Sequence, residues 1–251
     1  MRFLGLMWFF DVKCDVILLK LIWYNDFLKG DCMNKIKLFL LAIFLFALSQ
    51  SGTLLSGYIT IKLSPNIFNT SLLILFFILL ISCFLFISAK LNLKSKLTKS
   101  DIKYVLLTPV IIFVINVITK ALFNINDSSQ NQEAILSDIT KGFIPVSLVL
   151  LTAPLFEEII FRGIIYQKIF NKNIIGLLIQ AFLFSLPHIL PDILDGTFHL
   201  AFFLQYFIPA IIYALIYKKT DKLAIPILAH FINNAVPIVL LSIMIIFKIP
   251  L

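Results

Sequence analysis

Glutamate and arginine are scarce in this chain, so each occurrence is informative. Only three glutamates occur among 251 residues, and two of them, Glu157 and Glu158, are adjacent within the hydrophobic stretch 143–166. Arg162 follows them, although the chain otherwise supplies positive charge with nineteen lysines and one further arginine. A charged side chain in hydrocarbon costs at least ~2.5–3.5 kcal/mol, so intramembrane charges usually mark functional sites. The alternative is a structural ion pair that locks two helices together.

Cysteine gives no argument for a disulfide framework or a metal site. Cys14, Cys32 and Cys83 have no paired spacing and no CxxC arrangement. Apolar residues, in contrast, are abundant: 61% of the chain is hydrophobic and the mean hydropathy is +1.03. Soluble domains contain roughly 45–50% apolar residues. We therefore predict an all-α fold, a polytopic transmembrane helix bundle of about seven spans.

The formal net charge of +8 does not indicate a nucleic-acid partner, because the lysines cluster in short loops between apolar runs. Positive residues in such loops mark the cytoplasmic side of a membrane protein. The pattern predicts a multi-pass cell-membrane protein, in a bacterial plasma membrane, that begins inside and ends outside. The inner loops carry Lys35, Lys37, Lys90, Lys94, Lys96, Lys99, Lys103, Lys168, Lys172, Lys218, Lys219 and Lys222. The outer loops carry Asp127, Glu133, Asp138, Asp192 and Asp195.

Run length predicts seven spans, at 38–61, 71–89, 105–123, 143–166, 174–189, 198–217 and 223–247. The fifth is the shortest and would reach only ~24 Å at 1.5 Å per residue. Charged residues interrupt every apolar run in 1–32, which we interpret as an upstream extension or a peripheral segment; residues 33–140 form the N-terminal spans. Residues 33–50 also resemble a signal peptide, but continued hydrophobicity to Ile61 favours an uncleaved first span.

The first polar motif is the run from Glu157 to Gly163, which contains Glu158 and Arg162. On an α-helix, Glu158 and Arg162 are separated by i,i+4 and share a face, so they can form an ion pair. Glu157 points about 100° away from Glu158. One glutamate is therefore neutralised by the arginine, and Glu157 is left free to act as a general base.

Two further motifs follow, and each has a purely structural interpretation. Phe184 and His188 are one turn apart in the fifth span, with Pro187 interrupting the helical hydrogen bonds before the histidine. His230 and Asn234 share a face in the seventh span, with Asn233 as the competing candidate. A lone histidine can be a hydrogen-bonded core residue, and polar groups in membranes commonly join helices.

The estimated depth of each polar side chain in the membrane predicts that the three motifs lie close together. Counted from the inner face at 1.5 Å per residue, Glu157 is ~16 Å deep, His188 ~21 Å, His230 ~10 Å and Asn234 ~17 Å. Three helices thus place polar groups at similar depth, in the middle to inner half of the bilayer. A carboxylate, two imidazoles and a carboxamide around one water-accessible cavity can activate water and stabilise an oxyanion.

The ordered set EExxxR with the extension FRG, then FxxxH, then HxxxN resembles the CPBP family, the CAAX-protease and bacteriocin-processing (Abi) proteins. The resemblance covers roughly residues 141–247, so we assign 141–251 as a catalytic transmembrane domain. It implies an intramembrane endopeptidase that acts on a membrane-associated peptide or protein, in bacteriocin maturation or self-immunity. By resemblance, Glu157 and His188 activate water, His230 and Asn234 form the oxyanion hole, and Glu158, Arg162 and Phe184 support them.

Three alternatives stay open. Glu157, His188 and His230 are acceptable zinc ligands, and three ligands plus water is a common catalytic zinc site. We favour hydrolysis without a cofactor, because HExxH is absent and a carboxylate in an apolar environment can act as a base near neutral pH. A binding-only bacteriocin immunity protein is the second alternative. A transporter with a proton relay is the third, and the lack of an internal repeat counts against it.

Overall fold

The computed structural model describes residues 31–247 except positions 64, 65, 92, 94, 95 and 126. Residues 1–30, and with them nearly all of the predicted extension 1–32, lie outside the described residues. The described chain forms helices and connecting turns, and seven of its helices are long and apolar enough to cross a membrane. The prediction of an all-α, polytopic bundle is therefore confirmed.

The helices follow one another with short connections. They are α1 (Asp31–Tyr58, continued by a π-helix, Ile59–Leu63), α2 (Ile67–Lys90), α3 (Ile102–Leu122, preceded by a 3-10 turn, Lys99–Asp101), α4 (Gln130–Lys141), α5 (Phe143–Glu157, continued by a π-helix, Glu158–Ile169), α6 (Ile174–Leu194), α7 (Leu200–Thr220) and α8 (Ala224–Ile246). Each predicted span has a counterpart among them. Helix α4 is too short and too polar to span, and the sequence analysis missed it.

Polar side chains define where several of these helices begin. Asn66, Ser129 and Asn173 each accept a hydrogen bond from a backbone N–H in the first turn of α2, α4 and α6, respectively. His199 does the same for α7, since its Nδ1 accepts from the backbone N–H of Ala201 at 3.2 Å. These bonds satisfy donors that a helix start leaves without partners, which is costly where water is excluded.

Helix α6 is longer than predicted. The predicted span ended at Ile189, but the helix continues through Pro191 and Asp192 to Leu194. Its 21 residues reach ~31 Å, which is enough to cross a bilayer without local thinning. Asp192 was assigned to an outer loop, yet it lies inside the helix and is 1% exposed. The helix can continue because Oδ1 of Asp192 accepts a hydrogen bond from the backbone N–H of Gln130 on α4, so the carboxylate is not left in hydrocarbon.

The segment formed by α5 and its π-helical continuation lies at the centre of the bundle. It packs against α1, α2, α6 and α8, and every residue from Glu158 to Tyr166 is buried. Helix α7 packs on α6 and α3, and α3 packs on α8. Large apolar side chains are exposed along α1, α2 and α3, for example Leu54, Phe86 and Phe113. Such faces suit contact with lipid and would be unusual on a soluble monomer.

The lysine-bearing loops between the spans meet at one end of the bundle. Nζ of Lys222 donates to Oδ2 of Asp101 at 2.6 Å, and Lys172 pairs with Asp221. At the opposite end, the backbone N–H of Gln130 donates to Oδ1 of Asp192. The segregation of these loops agrees with the charge pattern, while the direction of the bundle in the membrane stays a prediction.

Candidate active site

Arg162 and Glu158 form a fully buried ion pair. Nη1 of Arg162 lies 3.1 Å from Oε1 of Glu158, and both side chains are 0% exposed. Nη2 of Arg162 donates to the backbone carbonyl of Ala210 on α7 at 3.1 Å. The guanidinium also lies over the rings of Phe184 and Tyr213, at 4.6 and 5.5 Å from their centroids. The predicted i,i+4 pairing is present, and it joins α5, α6 and α7.

Glu157 is separated from this pair, as predicted. Its Oε2 lies 3.8 Å from Nε2 of His230, a distance too long for a direct hydrogen bond. Its side chain is 16% exposed, whereas that of Glu158 is 0% exposed. Glu157 therefore retains a carboxylate that Arg162 does not neutralise and that a small molecule such as water can approach.

His230 connects the two glutamates. Its Nδ1 lies 3.0 Å from Oε1 of Glu158, and a carboxylate paired with Arg162 can only accept. Nδ1 therefore carries a proton and donates to Glu158, and Nε2 faces Glu157. Tyr213 stacks on the imidazole with ring centroids 4.9 Å apart and planes at 20°, and Phe184 presents an edge-to-face contact at 5.9 Å. Three side chains, those of Glu158, Tyr213 and Phe184, thus fix the orientation of the His230 ring.

His188 is held by ring contacts alone within the described part of the chain, since its side chain makes no hydrogen bond there. Its imidazole lies 5.1 Å from the Phe184 ring and stacks on Tyr206 at 4.6 Å with planes at 8°. Because α6 extends to Leu194, His188 is six residues from the outer end of the helix, or ~9 Å. His188 therefore lies nearer to the Leu194 end of α6 than to its Ile174 end, while its depth in a membrane stays a prediction.

Asn234 lies one turn beyond His230 on α8, but its observed partner is on α5. Its Nδ2 donates to the backbone carbonyl of Leu150 at 3.0 Å. Leu150 precedes Pro154 by four residues, and a proline at that position leaves this carbonyl without its helical donor. The carboxamide of Asn234 takes the place of the missing N–H. One N–H of the same amide is left for another acceptor.

Prolines lie in three helices around the site, but not every one of them interrupts its helix. Pro154 and Pro187 lie inside α5 and α6, where each removes a helical hydrogen bond. Pro226 lies in the first turn of α8, where backbone N–H groups have no helical partner in any case. Pro226 therefore does not interrupt its helix, and Pro237, inside α8, does.

The π-helix after Glu157 and the two tyrosines that stack on the histidines, Tyr206 and Tyr213, were not predicted from the sequence. The chain after Glu157 follows i→i+5 hydrogen bonding to Ile169, a geometry that is rare and is found often at functional sites. Tyr206 and Tyr213, which stack on His188 and His230, are separated by seven residues on α7 and share a face of the helix. That spacing of phenolic hydroxyl groups in an apolar span was the signal that could have identified them.

The candidate metal ligands do not form a metal-binding cluster within the described part of the chain. Across the described residues, no three side chains of His, Cys, Asp or Glu come close enough together to hold one metal ion. Glu157 and His230 approach each other, but His188 is stacked between Phe184 and Tyr206 and does not share their position. The three residues considered as zinc ligands therefore do not fit a common ion in this arrangement.

Comparison with known proteins gives one match. A family model described as Type II CAAX prenyl endopeptidase Rce1-like matches residues 140–236. No curated protein and no solved structure matches the chain. The matched segment runs from the end of α4 into α8 and contains all three motifs, from Glu157 to Asn234. Residues 140–236 are therefore similar to the Rce1-like type II CAAX prenyl endopeptidases, in agreement with the CAAX-protease resemblance that the motifs predicted.

Proposed function

We propose that the protein is a membrane-embedded endopeptidase that hydrolyses a peptide bond of a membrane-associated polypeptide. Glu157 acts as the general base toward the attacking water, with the help of His188, and His230 and Asn234 stabilise the oxyanion. Glu158 and Arg162 support the site, and Phe184 lies between the two histidines. The observation that carries the proposal is the separation of the two glutamates: Glu158 is neutralised by Arg162, and Glu157 faces Nε2 of His230 at 3.8 Å.

Each proposed role requires a specific state of the side chain. Glu157 must be ionised to accept a proton from water, and its partial exposure allows water to reach it. Nδ1 of His230 is occupied by Glu158, so Nε2 must carry a proton to donate toward an oxyanion. The amide of Asn234 has one N–H available beyond its bond to Leu150. These groups require no bound metal, so we propose glutamate-dependent hydrolysis in preference to the zinc-dependent version.

Bacteriocin maturation or self-immunity is the biological setting we propose, on the basis of the family resemblance. A binding-only immunity protein would need none of the site's chemistry. The buried Glu158–Arg162 pair would serve either function, but hydrolysis needs an unneutralised glutamate that can accept a proton from water, and binding alone does not.

Glu157→Gln tests the proposal, and Glu133→Gln is its matched control. Glu133 is the third glutamate of the chain and lies exposed on α4. Wild-type protein and both variants are reconstituted in liposomes with a farnesylated peptide that ends in a CAAX sequence, and the products are identified by mass spectrometry. We expect cleavage by the wild type and Glu133→Gln, and a loss of at least ~100-fold in Glu157→Gln. Cleavage by Glu157→Gln at the wild-type rate, or no cleavage by any of the three, would contradict the proposal.

A further inference from the structure

Tyr206 touches the proposed site at one end and helix α4 at the other. Its ring lies parallel to the imidazole of His188, with centroids 4.6 Å apart and planes at 8°. Its hydroxyl oxygen lies 3.0 Å from Oγ of Ser129 and accepts a hydrogen bond from Nδ2 of Asn131 at 3.2 Å. Ser129 and Asn131 belong to the start of α4, a helix that the catalytic motifs do not include.

The start of α4 is itself anchored to α6, one turn beyond His188. The backbone N–H of Gln130 donates to Oδ1 of Asp192 at 3.0 Å, and its side chain donates to Oγ1 of Thr197 at the same distance. Ser129 is 0% exposed and Asp192 is 1% exposed, so the bond to Asp192 is shielded from solvent, whereas the bond to Thr197 is exposed. Hydrogen bonds between buried groups are costly to break, because each partner is left without water. The start of α4 therefore has a fixed position relative to both α6 and α7.

The environment of His188 makes the Tyr206 ring important for its orientation. The imidazole has no hydrogen bond within the described chain, so ring contacts with Tyr206 and Phe184 determine how it is turned. A parallel neighbour restricts rotation of the imidazole, whereas an aliphatic side chain would leave it free. A small misplacement of a group that takes part in catalysis can cost as much as ~100-fold in rate.

We propose that Tyr206 is a positioning residue for His188, and that Ser129 and Asn131 of α4 hold Tyr206 in place. The inference rests on the proposed function, in which His188 helps to activate water. The inference gives α4, a short helix outside the predicted spans, a specific role. Its first turn contacts the Tyr206 hydroxyl, and the Tyr206 ring contacts the imidazole of His188. Tyr206 acts through His188 and does not itself touch the reacting atoms.

Kinetics of three variants separate the ring of Tyr206 from its hydroxyl. Tyr206→Leu removes the stacking partner, and we expect kcat to fall by at least ~10-fold with KM within about 2-fold of the wild type. Tyr206→Phe keeps the ring and loses both bonds to α4, so we expect a smaller loss of kcat, about 2- to 5-fold. Asn131→Ala removes one of these two bonds and should cause no larger loss than Tyr206→Phe. Phe207→Leu is the control, because its ring stacks on Phe203 in the same helix, at 4.9 Å.

Nuclear magnetic resonance of ¹³C-histidine-labelled protein in detergent gives a readout independent of activity. The chain has three histidines, so His188→Gln assigns the His188 resonance by its disappearance. Tyr206→Leu should shift this resonance by removing the ring current of the stacked phenol, and Phe207→Leu should not.

The two assays together distinguish the inference from the proposed function. A loss of kcat and a shifted His188 resonance in Tyr206→Leu, with Tyr206→Phe close to wild type in resonance position, would support the inference. An unmoved resonance or an unchanged kcat in Tyr206→Leu, while His188→Gln is inactive, would overturn the inference alone. Full activity in His188→Gln would overturn the role of His188 in the proposed function.

Discussion

Oε1 of Glu158 lies 3.0 Å from Nδ1 of His230, across 72 residues of sequence, and the same oxygen lies 3.1 Å from Arg162. The glutamate that neutralises the arginine therefore also orients the histidine that faces Glu157. In a low-dielectric interior, such shared contacts are strong when complete and costly when one partner is lost. The two adjacent glutamates are thus connected through His230, although they differ in their surroundings.

Glu158→Gln should destabilise the protein, because it leaves the charge of Arg162 without its partner at a position that is 0% exposed. Removing one member of a buried ion pair costs about 3–5 kcal/mol. The glutamine can still accept from Nδ1 of His230, so the variant tests the charge and not the hydrogen bond. We expect a lower membrane yield and a lower Tm in detergent than for Glu157→Gln. A Tm equal to that of the wild type would show that Arg162 finds another counter-charge.

Tyr213 should act through its ring and not through its hydroxyl. The hydroxyl is buried and has no hydrogen-bond partner among the described residues, while the ring stacks on His230 and lies beneath Arg162. A buried hydroxyl without a hydrogen bond destabilises the folded protein by about 1–3 kcal/mol. Because Tyr213→Phe removes this hydroxyl, we expect an unchanged or higher Tm and retained hydrolysis. Tyr213→Leu should lower both kcat and Tm.

Tyr217→Phe provides the control for Tyr213→Phe. Tyr217 lies one turn further along α7 and is 0% exposed, and its hydroxyl has no hydrogen-bond partner in the part of the chain that the structure describes. Its ring, however, contacts Lys172 at the end of the bundle. Loss of the hydroxyl should affect Tm in the same direction and leave kcat unchanged. A large fall in kcat for Tyr213→Phe, with none for Tyr217→Phe, would show that the Tyr213 hydroxyl takes part in the reaction.

Metal dependence separates the glutamate mechanism from the zinc alternative. If Glu157 acts as a base without metal, extensive chelation should leave hydrolysis intact, and elemental analysis of active protein should find no stoichiometric zinc. Activity that is lost on chelation and restored by Zn²⁺ would instead identify Glu157, His188 and His230 as ligands. His188 would then have to leave its position between Phe184 and Tyr206.

Local patterns were sufficient for the spans and for the Glu158–Arg162 pair, because run length and i,i+4 spacing act within one helix. Contacts between segments that are distant in the sequence could not be predicted from such local patterns. The bond from Gln130 to Asp192 crosses 62 residues, and it explains both the docking of α4 and the extra length of α6. The partner of Asn234 is a backbone carbonyl, which no side-chain pattern reveals. Contacts of this kind depend on how the helices pack together.

Cysteine labelling tests the predicted orientation and the route by which a substrate enters. Cys14, Cys32 and Cys83 are first replaced by alanine, and single cysteines are then introduced at Lys219 and Asp195, which are exposed at opposite ends of the bundle. The lysine-rich loops predict that Lys219→Cys reacts with a membrane-impermeant thiol reagent only in inverted vesicles. Asp195→Cys should react only in intact cells.

Access to the site is tested in the same background with a cysteine at Ala235, next to Asn234. Pro154 and Pro187 each remove a helical hydrogen bond, which favours a water-accessible chamber, and we expect this chamber to open toward the cytoplasm. Ala235→Cys should therefore be labelled slowly, from the cytoplasmic side, and the farnesylated peptide should protect it. The chamber is expected to be closed on the opposite side, because the first turn of α4 is hydrogen-bonded to α6 and α7 at that end of the bundle. Labelling of Lys219→Cys in intact cells would reverse the orientation, and faster labelling of Ala235→Cys from outside would place the entrance beside α4.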